Sequence, residues 1–133
     1  MKKKGMIFTV VFIIIFSIIF LIGIKYFQKI ERYKNQVEQI TINEIDLSNI
    51  EDGTYYGSYN TIFVSAKVEV IVKDHKILDI KIIEHINGKG KPAETIINDV
   101  IKEQKLKVDI VRGATASSKV ILKAIEEALS KKM

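Results

Sequence analysis

The sequence predicts an α+β protein in which an N-terminal transmembrane helix is followed by a small antiparallel sheet packed with two helices. Three observations lead to this prediction. Residues 6–24 carry no charge, two β-prone runs flank a short polar turn at residues 74–76, and the apolar residues near the end of the chain recur at helical spacing. A chain of 133 residues can form one modest domain beside such a helix.

The uncharged run is predicted to be a retained membrane anchor. As a helix, residues 6–24 would span roughly 28 Å, close to the ~30 Å hydrocarbon core of a bilayer. A cleavable signal peptide has a shorter apolar region and a small-x-small site, which Lys25-Tyr26-Phe27 does not offer, and the absence of cysteine excludes a lipoprotein. We therefore expect an N-terminal tail and single-pass anchor in the cell membrane over residues 1–24. A stalk and linker should follow over residues 25–49, and the domain should occupy residues 50–133.

The excess of positive charge lies in the residues that flank the anchor. Residues 1–34 contain seven Lys/Arg and one acid, whereas residues 35–133 contain fourteen Lys/Arg and fifteen acids. Anionic headgroups attract such flanks, while a nucleic-acid partner would require a basic patch on the domain itself. We therefore predict a membrane partner and no nucleic acid. Without cysteine and with two histidines, the chain would need an organic cofactor to carry electrons.

The first half of the domain should form an antiparallel sheet. Residues 54–59 are predicted to be an edge strand, and residues 63–72 alternate as a half-buried strand does. The turn at 74–76 leads into a second alternating run over residues 77–84, so the two runs should pair as a hairpin. In that run one face should comprise Leu78, Ile80 and Ile82.

The second half should add two helices and one more strand. Residues 87–92 form a loop, and helical spacing from Ala93 predicts a helix that ends near Glu103 or Gln104. Residues 106–111 are predicted to be a short strand. Ser117 or Ser118 should then cap a final helix, whose apolar stripe comprises Val120, Ile121, Ala124, Ile125, Ala128 and Leu129.

Residues 108–118 form the most informative motif of the chain. A β-prone run meets Gly113-Ala114, a cluster of hydroxyls follows, and then the final helix begins. This order places the Thr115 hydroxyl at a helix N-terminus, where free backbone N–H groups and the helix dipole favour an anion such as phosphate. The same residues also fit an ordinary strand-to-helix turn with a hydroxyl cap.

The motif resembles the attachment signature of the FMN-binding domain family, which includes the flavin-carrying subunits of the Rnf and sodium-translocating quinone-reductase complexes. The stretches Asp52 to Gly57 and Lys73 to Ile77 resemble the opening and the hairpin of the same domain, with His75 where the family usually has glycine. These marks cover residues 50 to about 129. The resemblance implies FMN joined through a phosphoester to Thr115 by a separate flavin transferase that uses FAD and a divalent metal.

The resemblance also suggests roles for the neighbours of Thr115. Gly113 would let the backbone approach the phosphate, and Ala114 would leave the phosphate unshielded. Asp109 would be recognised by the transferase. Arg112 stands where the family prefers Ser or Thr, and it is either a phosphate partner or a solvated residue of the strand. The remaining predicted cofactor-site residues are Ser117 and Ser118 at the start of the helix.

Other residues have both a functional and an ordinary interpretation. Residues 87–92 would lie beside the flavin ring or form a plain turn. Four aromatic side chains would offer faces for the ring or pack in the sheet and core: Tyr55, Tyr56, Tyr59 and Phe63. His75 and His85 are expected to be surface or turn residues rather than ligands.

The predicted function is that of a membrane-anchored flavoprotein. The family's flavin domains lie outside the cytoplasm, so the resemblance implies an extracytoplasmic domain that exchanges electrons with a membrane reductase or quinone and a neighbouring protein. The sequence shows no acid–base pair or nucleophile for a stand-alone catalyst, so an electron carrier is the better description. The alternatives are a module that binds flavin or another small ligand non-covalently, and a structural accessory subunit of a membrane complex.

Overall fold

The computed structural model describes residues 2–131, which divide into two compact units between Asn35 and Gln36. Helix α1, Lys2–Gln39, contains the whole uncharged run, and none of its residues is buried. By length and composition α1 is able to cross a membrane. The structure is therefore consistent with a single-pass membrane anchor.

The second unit contains an antiparallel sheet of three strands in the order β1-β2-β3. The strands are β1, Gly53–Asn60, β2, Ser65–Lys73, and β3, Lys76–Ile86. The loop between β2 and β3 is the two-residue turn Asp74-His75, with φ of 51° and 59°. Two positive φ values are what a type I′ hairpin turn requires, because its twist matches that of the strands. The predicted hairpin is confirmed, and so is the α+β class.

Two bulges in β3 change which of its residues face the core. Register shifts opposite β2 leave Leu78 and Ile83 without partners. Leu78 is consequently 61% exposed, whereas Ile77 and Ile80 are buried. The prediction that Leu78 shares a face with Ile80 is therefore wrong, because an extra residue in one strand reverses the alternation beyond it.

A 3₁₀ segment, Lys91–Thr95, follows the sheet and leads into helix α2, Ile96–Glu103. The predicted helix thus begins three residues later than expected from Ala93 and ends where predicted. Residues 106–111 form an irregular segment that pairs with no strand within the described part of the chain, so the predicted strand is wrong. Its N–H groups find local and side-chain partners instead, and that of Val108 donates to the Leu106 carbonyl at 2.9 Å. The N–H of Leu106 donates to Glu44 Oε1 at 2.6 Å, and the N–H of Val111 donates to Ser118 Oγ at 3.2 Å.

Helix α3, Thr115–Ser130, covers the inner face of β1 and β2 and completes the core. Its predicted apolar stripe is confirmed, since all six residues are buried. The packing is closest at Gly57 in β1, where a Cβ atom would collide with the carbonyl oxygen of Ala124 and the backbone of Ala128. Glycine at this position therefore allows the strand and the helix to approach each other.

The residues just before β1 also pack on the domain. Ile40 and Ile50 are buried, and Asn43 donates to the Glu126 carboxylate from its backbone N–H at 3.0 Å and from Nδ2 at 3.1 Å. Burial alone would raise the pKa of Glu126, but these hydrogen bonds and the Lys123 ammonium outweigh it and lower the pKa. Part of the predicted linker is thus held against α3.

Candidate functional site

The site begins with a tight turn at the end of the irregular segment of residues 106–111. The N–H of Ala114 donates to the carbonyl of Val111 at 3.0 Å, and Gly113 has φ of 81°. That φ suits the third position of a type II turn, which favours glycine. A Cβ atom on Gly113 would meet nothing within 4 Å, so the space beside this turn is open. Glycine is needed here for its backbone conformation.

Helix α3 starts directly after this turn without a side-chain cap. Its N-cap is Ala114, and Thr115 is its first residue. The predicted cap by Ser117 or Ser118 is wrong, because both serines lie inside the first turn and are buried, at 2% and 0% exposure. Their hydroxyls bond elsewhere: Ser117 Oγ lies 3.0 Å from His85 Nε2, and Ser118 Oγ accepts from Val111. Within residues 2–131, no side chain is therefore found to cap the first N–H groups of the helix.

The three hydroxyls of the motif consequently differ in accessibility. Thr115 is exposed, and no hydrogen-bond partner for its hydroxyl is found within residues 2–131. Ser117 and Ser118 are buried and hydrogen-bonded. Thr115 is thus the hydroxyl of this motif that a reagent from outside could reach. No base contacts it within the described residues, so the site supplies no activation of its own.

The two charged residues near the turn are both exposed. Asp109 lies in the irregular segment before the turn, and Arg112 lies in the turn itself rather than on the face of a strand. Within the described residues, Arg112 forms no ion pair, and its guanidinium group is available to a ligand. Arg112 is thus solvated, as one interpretation expected, but it lies in a turn and not on a strand. A role toward phosphate stays a prediction.

The glycine-containing loop that follows β3 packs against the first turn of α3. The N–H of Gly90 donates to the carbonyl of Asn87 at 2.8 Å, and Gly88 adopts φ of 54°. A Cβ atom on Gly90 would collide with the Ser117 side chain. The loop predicted to lie beside the flavin is therefore close to the residues that follow Thr115.

His85 is the site residue that sequence reasoning missed. Its side chain is only 1% exposed, and Nδ1 lies 3.0 Å from Glu94 Oε1. The expectation of a surface or turn residue is wrong, because the bulge at Ile83 turns His85 toward the core opposite Ala66. Had the alternation continued without a bulge, Glu84 would have taken this place. His75, by contrast, is a turn residue as predicted, with Nδ1 3.1 Å from the Ile50 carbonyl.

Glu94 connects His85 with a surface lysine. Its second oxygen lies 3.0 Å from Lys91 Nζ. The hydrogen bond with His85 is the main reason that the pKa of Glu94 lies below its usual value; burial acts in the opposite direction, and Lys91 adds to the lowering. The carboxylate is therefore ionised at neutral pH and serves as a hydrogen-bond acceptor.

The four aromatic residues do not form one stacking surface. Tyr55 is buried and donates to the Glu51 carbonyl at 2.6 Å, and Tyr59 shares its face of β1. Tyr56 points to the opposite face, where a hydrogen bond with Glu69 raises the pKa of its hydroxyl. Phe63 lines a separate cleft of about 510 Å³. At most a subset of these rings could contact one ligand.

The sequence profile of the FMN-binding domain family matches residues 64–130, half of the chain. No curated protein matches this chain significantly. The matched residues run from the start of β2 to the end of α3 and include the loop, His85, Glu94 and the whole turn around Thr115. The chain therefore belongs to the FMN-binding domain family, and FMN is its cofactor. With α1 at the N-terminus, it fits a membrane-anchored flavin-binding protein.

Proposed function

We propose that this protein is a single-pass membrane electron carrier that holds FMN covalently on Thr115. In this proposal residues 1–24 form the tail and anchor, residues 25–49 the stalk, and residues 50–133 a flavin domain outside the cytoplasm. One observation carries the proposal. Among the three hydroxyls of the attachment motif, only that of Thr115 is exposed and without a partner in the described residues.

The surroundings of Thr115 suit the phosphate of FMN. The uncapped N-terminus of α3 favours a negative charge by about 0.3–1 kcal/mol. Gly113 leaves the approach open, and the small side chain of Ala114 is buried, so neither shields the hydroxyl. Arg112 adds a guanidinium group, which matches phosphate oxygens well. The donors present therefore fit a phosphodiester.

Because no base contacts the Thr115 hydroxyl within the described residues, attachment in this proposal depends on a second protein. We propose a flavin transferase that uses FAD and a divalent metal. Thr115 Oγ1 would bond to the phosphorus of the FMN half while the pyrophosphate bond of FAD breaks, AMP leaves and the hydroxyl loses its proton. Asp109, exposed on the segment before the turn, is available for recognition by that enzyme.

Bound FMN would supply one- and two-electron redox chemistry. We propose a membrane reductase or a quinone as the electron donor and a neighbouring protein as the acceptor. A tether in the membrane raises the effective concentration of the flavin near such partners.

In-gel flavin fluorescence tests the linkage. The full chain is co-expressed with a flavin transferase and run on a denaturing gel beside Thr115→Val and a control, Thr54→Val, which alters an exposed threonine of β1. We expect fluorescence in the wild-type and Thr54→Val bands and none in Thr115→Val. The intact mass should rise by that of FMN less one water.

The other outcomes identify the alternatives. A protein that is yellow when native but loses its flavin on denaturation would be a non-covalent flavin module. A colourless protein despite the transferase would support a structural accessory subunit. Persistent fluorescence in Thr115→Val would place the linkage elsewhere and contradict the proposal.

A further inference from the structure

A hydrogen-bonded chain of side chains connects three elements beneath Thr115. From the 3₁₀ segment, Glu94 Oε1 lies 3.0 Å from His85 Nδ1 on β3, and His85 Nε2 lies 3.0 Å from Ser117 Oγ on α3. The imidazole is 1% exposed and Ser117 is 2% exposed. A buried polar group is costly unless its bonds are made. These hydrogen bonds are therefore a specific arrangement within a mostly apolar core.

The direction of each hydrogen bond follows from the chemistry of the groups. The ionised Glu94 carboxylate can only accept, so Nδ1 of His85 carries a proton. In the neutral imidazole Nε2 is then an acceptor, and the Ser117 hydroxyl donates to it. The groups that face the ring are Glu94 with its partner Lys91, the Asn87 amide at 3.4 Å from Nδ1, and Ser117.

His85 is hydrogen-bonded both to the loop, through Asn87, and to α3, through Ser117. The Asn87 side chain donates to the carbonyl of His85 at 3.2 Å, and the Asn87 carbonyl accepts from Gly90. Gly90 in turn lies against the Ser117 side chain. Loss of the imidazole would leave the buried Ser117 hydroxyl without its partner and a cavity between loop and helix.

We propose that His85 is the positioning residue of the flavin site, holding the loop of residues 87–91 against the first turn of α3 so that Thr115 is presented in the geometry that attachment requires. The inference rests on the proposed function and adds to it a residue that lies outside the attachment motif. A displacement of about 1 Å at a reacting group is enough to cost a large factor in rate. His85 acts here through Ser117 and the loop, without contacting the threonine hydroxyl.

The rate of flavin attachment to the full-length protein measures this role. Ser117→Ala removes a single oxygen and keeps the packing, and His85→Gln removes the ring. We expect both to be flavinylated about tenfold more slowly than wild type, or slower still. Glu94→Gln should retain most of the rate, because its amide oxygen can still accept from Nδ1. The matched control is His75→Asn, which suits the positive φ of the hairpin turn.

Another variant tests the contact between the loop and α3 without removing Glu94, His85 or Ser117. Gly90→Ala places a Cβ atom against Ser117 and must displace the loop, so it should slow attachment as Ser117→Ala does. Its control is Gly53→Ala at the start of β1, where a Cβ atom meets only ordinary contacts with Tyr55. The melting temperatures of all variants are recorded, and rates are compared well below them.

Nitrogen-15 NMR of the histidine rings tests the hydrogen-bond directions on which the inference depends. Neutral His85 should carry its proton on Nδ1, and the Nε2 resonance should shift in Ser117→Ala. A proton on Nε2, or wild-type attachment rates in folded Ser117→Ala and Gly90→Ala, would overturn the inference while the proposed function stands. Failure of the wild-type chain to accept flavin would overturn both. If His85→Gln does not fold, Ser117→Ala still gives the answer.

Discussion

The first turn of α3 and the stripe from Val120 to Leu129 both contain buried residues, but the interactions made by those residues differ. The stripe from Val120 to Leu129 packs against β1 and β2 through apolar contacts. The first turn instead buries two serine hydroxyls, whose partners lie 32 and 7 residues away in the sequence. Apolar burial is non-directional and roughly proportional to area, whereas hydrogen bonds require a particular geometry. We infer that the stripe provides most of the stability and that the first turn sets the geometry of the site.

The largest expected effect on stability is at Gly57. Gly57→Ala must force β1 away from the backbone of Ala124 and Ala128, which should lower the free energy of unfolding by about 3 kcal/mol or more. Near-UV circular dichroism of the tyrosines follows the transition in detergent. The control Gly53→Ala meets only ordinary contacts with Tyr55. Equal losses in both variants would contradict the close approach of β1 and α3.

A cavity in the stripe should have the next largest effect. Ile125 is 0% exposed, and Ile125→Ala should cost about 2–5 kcal/mol. Leu78→Ala, at a bulge residue that is 61% exposed, should cost far less. Urea unfolding measures both. A large loss for Leu78→Ala would indicate that the outer face of the sheet is covered in the native protein.

Glu126 provides a smaller, pH-dependent contribution. Its pKa in the folded state is lowered, so its stabilising effect is present above the unfolded value of about 4.3 and disappears as the pH falls through the folded value. Glu126→Gln should cost about 1–3 kcal/mol at neutral pH. The difference from wild type should shrink in acid. Glu127→Gln on the same helix is the control, and a difference that grows toward low pH would contradict the sign.

Thr115→Val should have the smallest effect on stability, within about 0.5 kcal/mol, because the side chain is exposed. The same substitution should abolish covalent flavin. Such a result would show that Thr115, in the first turn of α3, serves flavin attachment and contributes little to stability. A strongly destabilised Thr115→Val would show that the first turn also supports the fold, and thermal unfolding without flavin measures it.

Much of the fold could be predicted because local patterns report it. The alternation in β2 follows from strand geometry, and the apolar stripe of α3 follows from helix geometry. The polar residues between β2 and β3 mark the turn. The resemblance identified the family and the motif that contains Thr115. The burial of His85 could not be predicted in this way, because a bulge at Ile83 carries no local signature and reverses every side chain after it.

The sequence by itself determined the long apolar helix, the hairpin, the two helices of the domain and, through the family resemblance, the identity of the cofactor. Only the tertiary structure decided that residues 106–111 lie outside the sheet, that Ser117 and Ser118 are buried, and that Thr115 is exposed. The reason is physical. Periodicity arises from the geometry of neighbouring residues, whereas these outcomes depend on hydrogen bonds between residues far apart in the sequence. Glu44 reaches Leu106 and His85 reaches Ser117 only after the chain has folded.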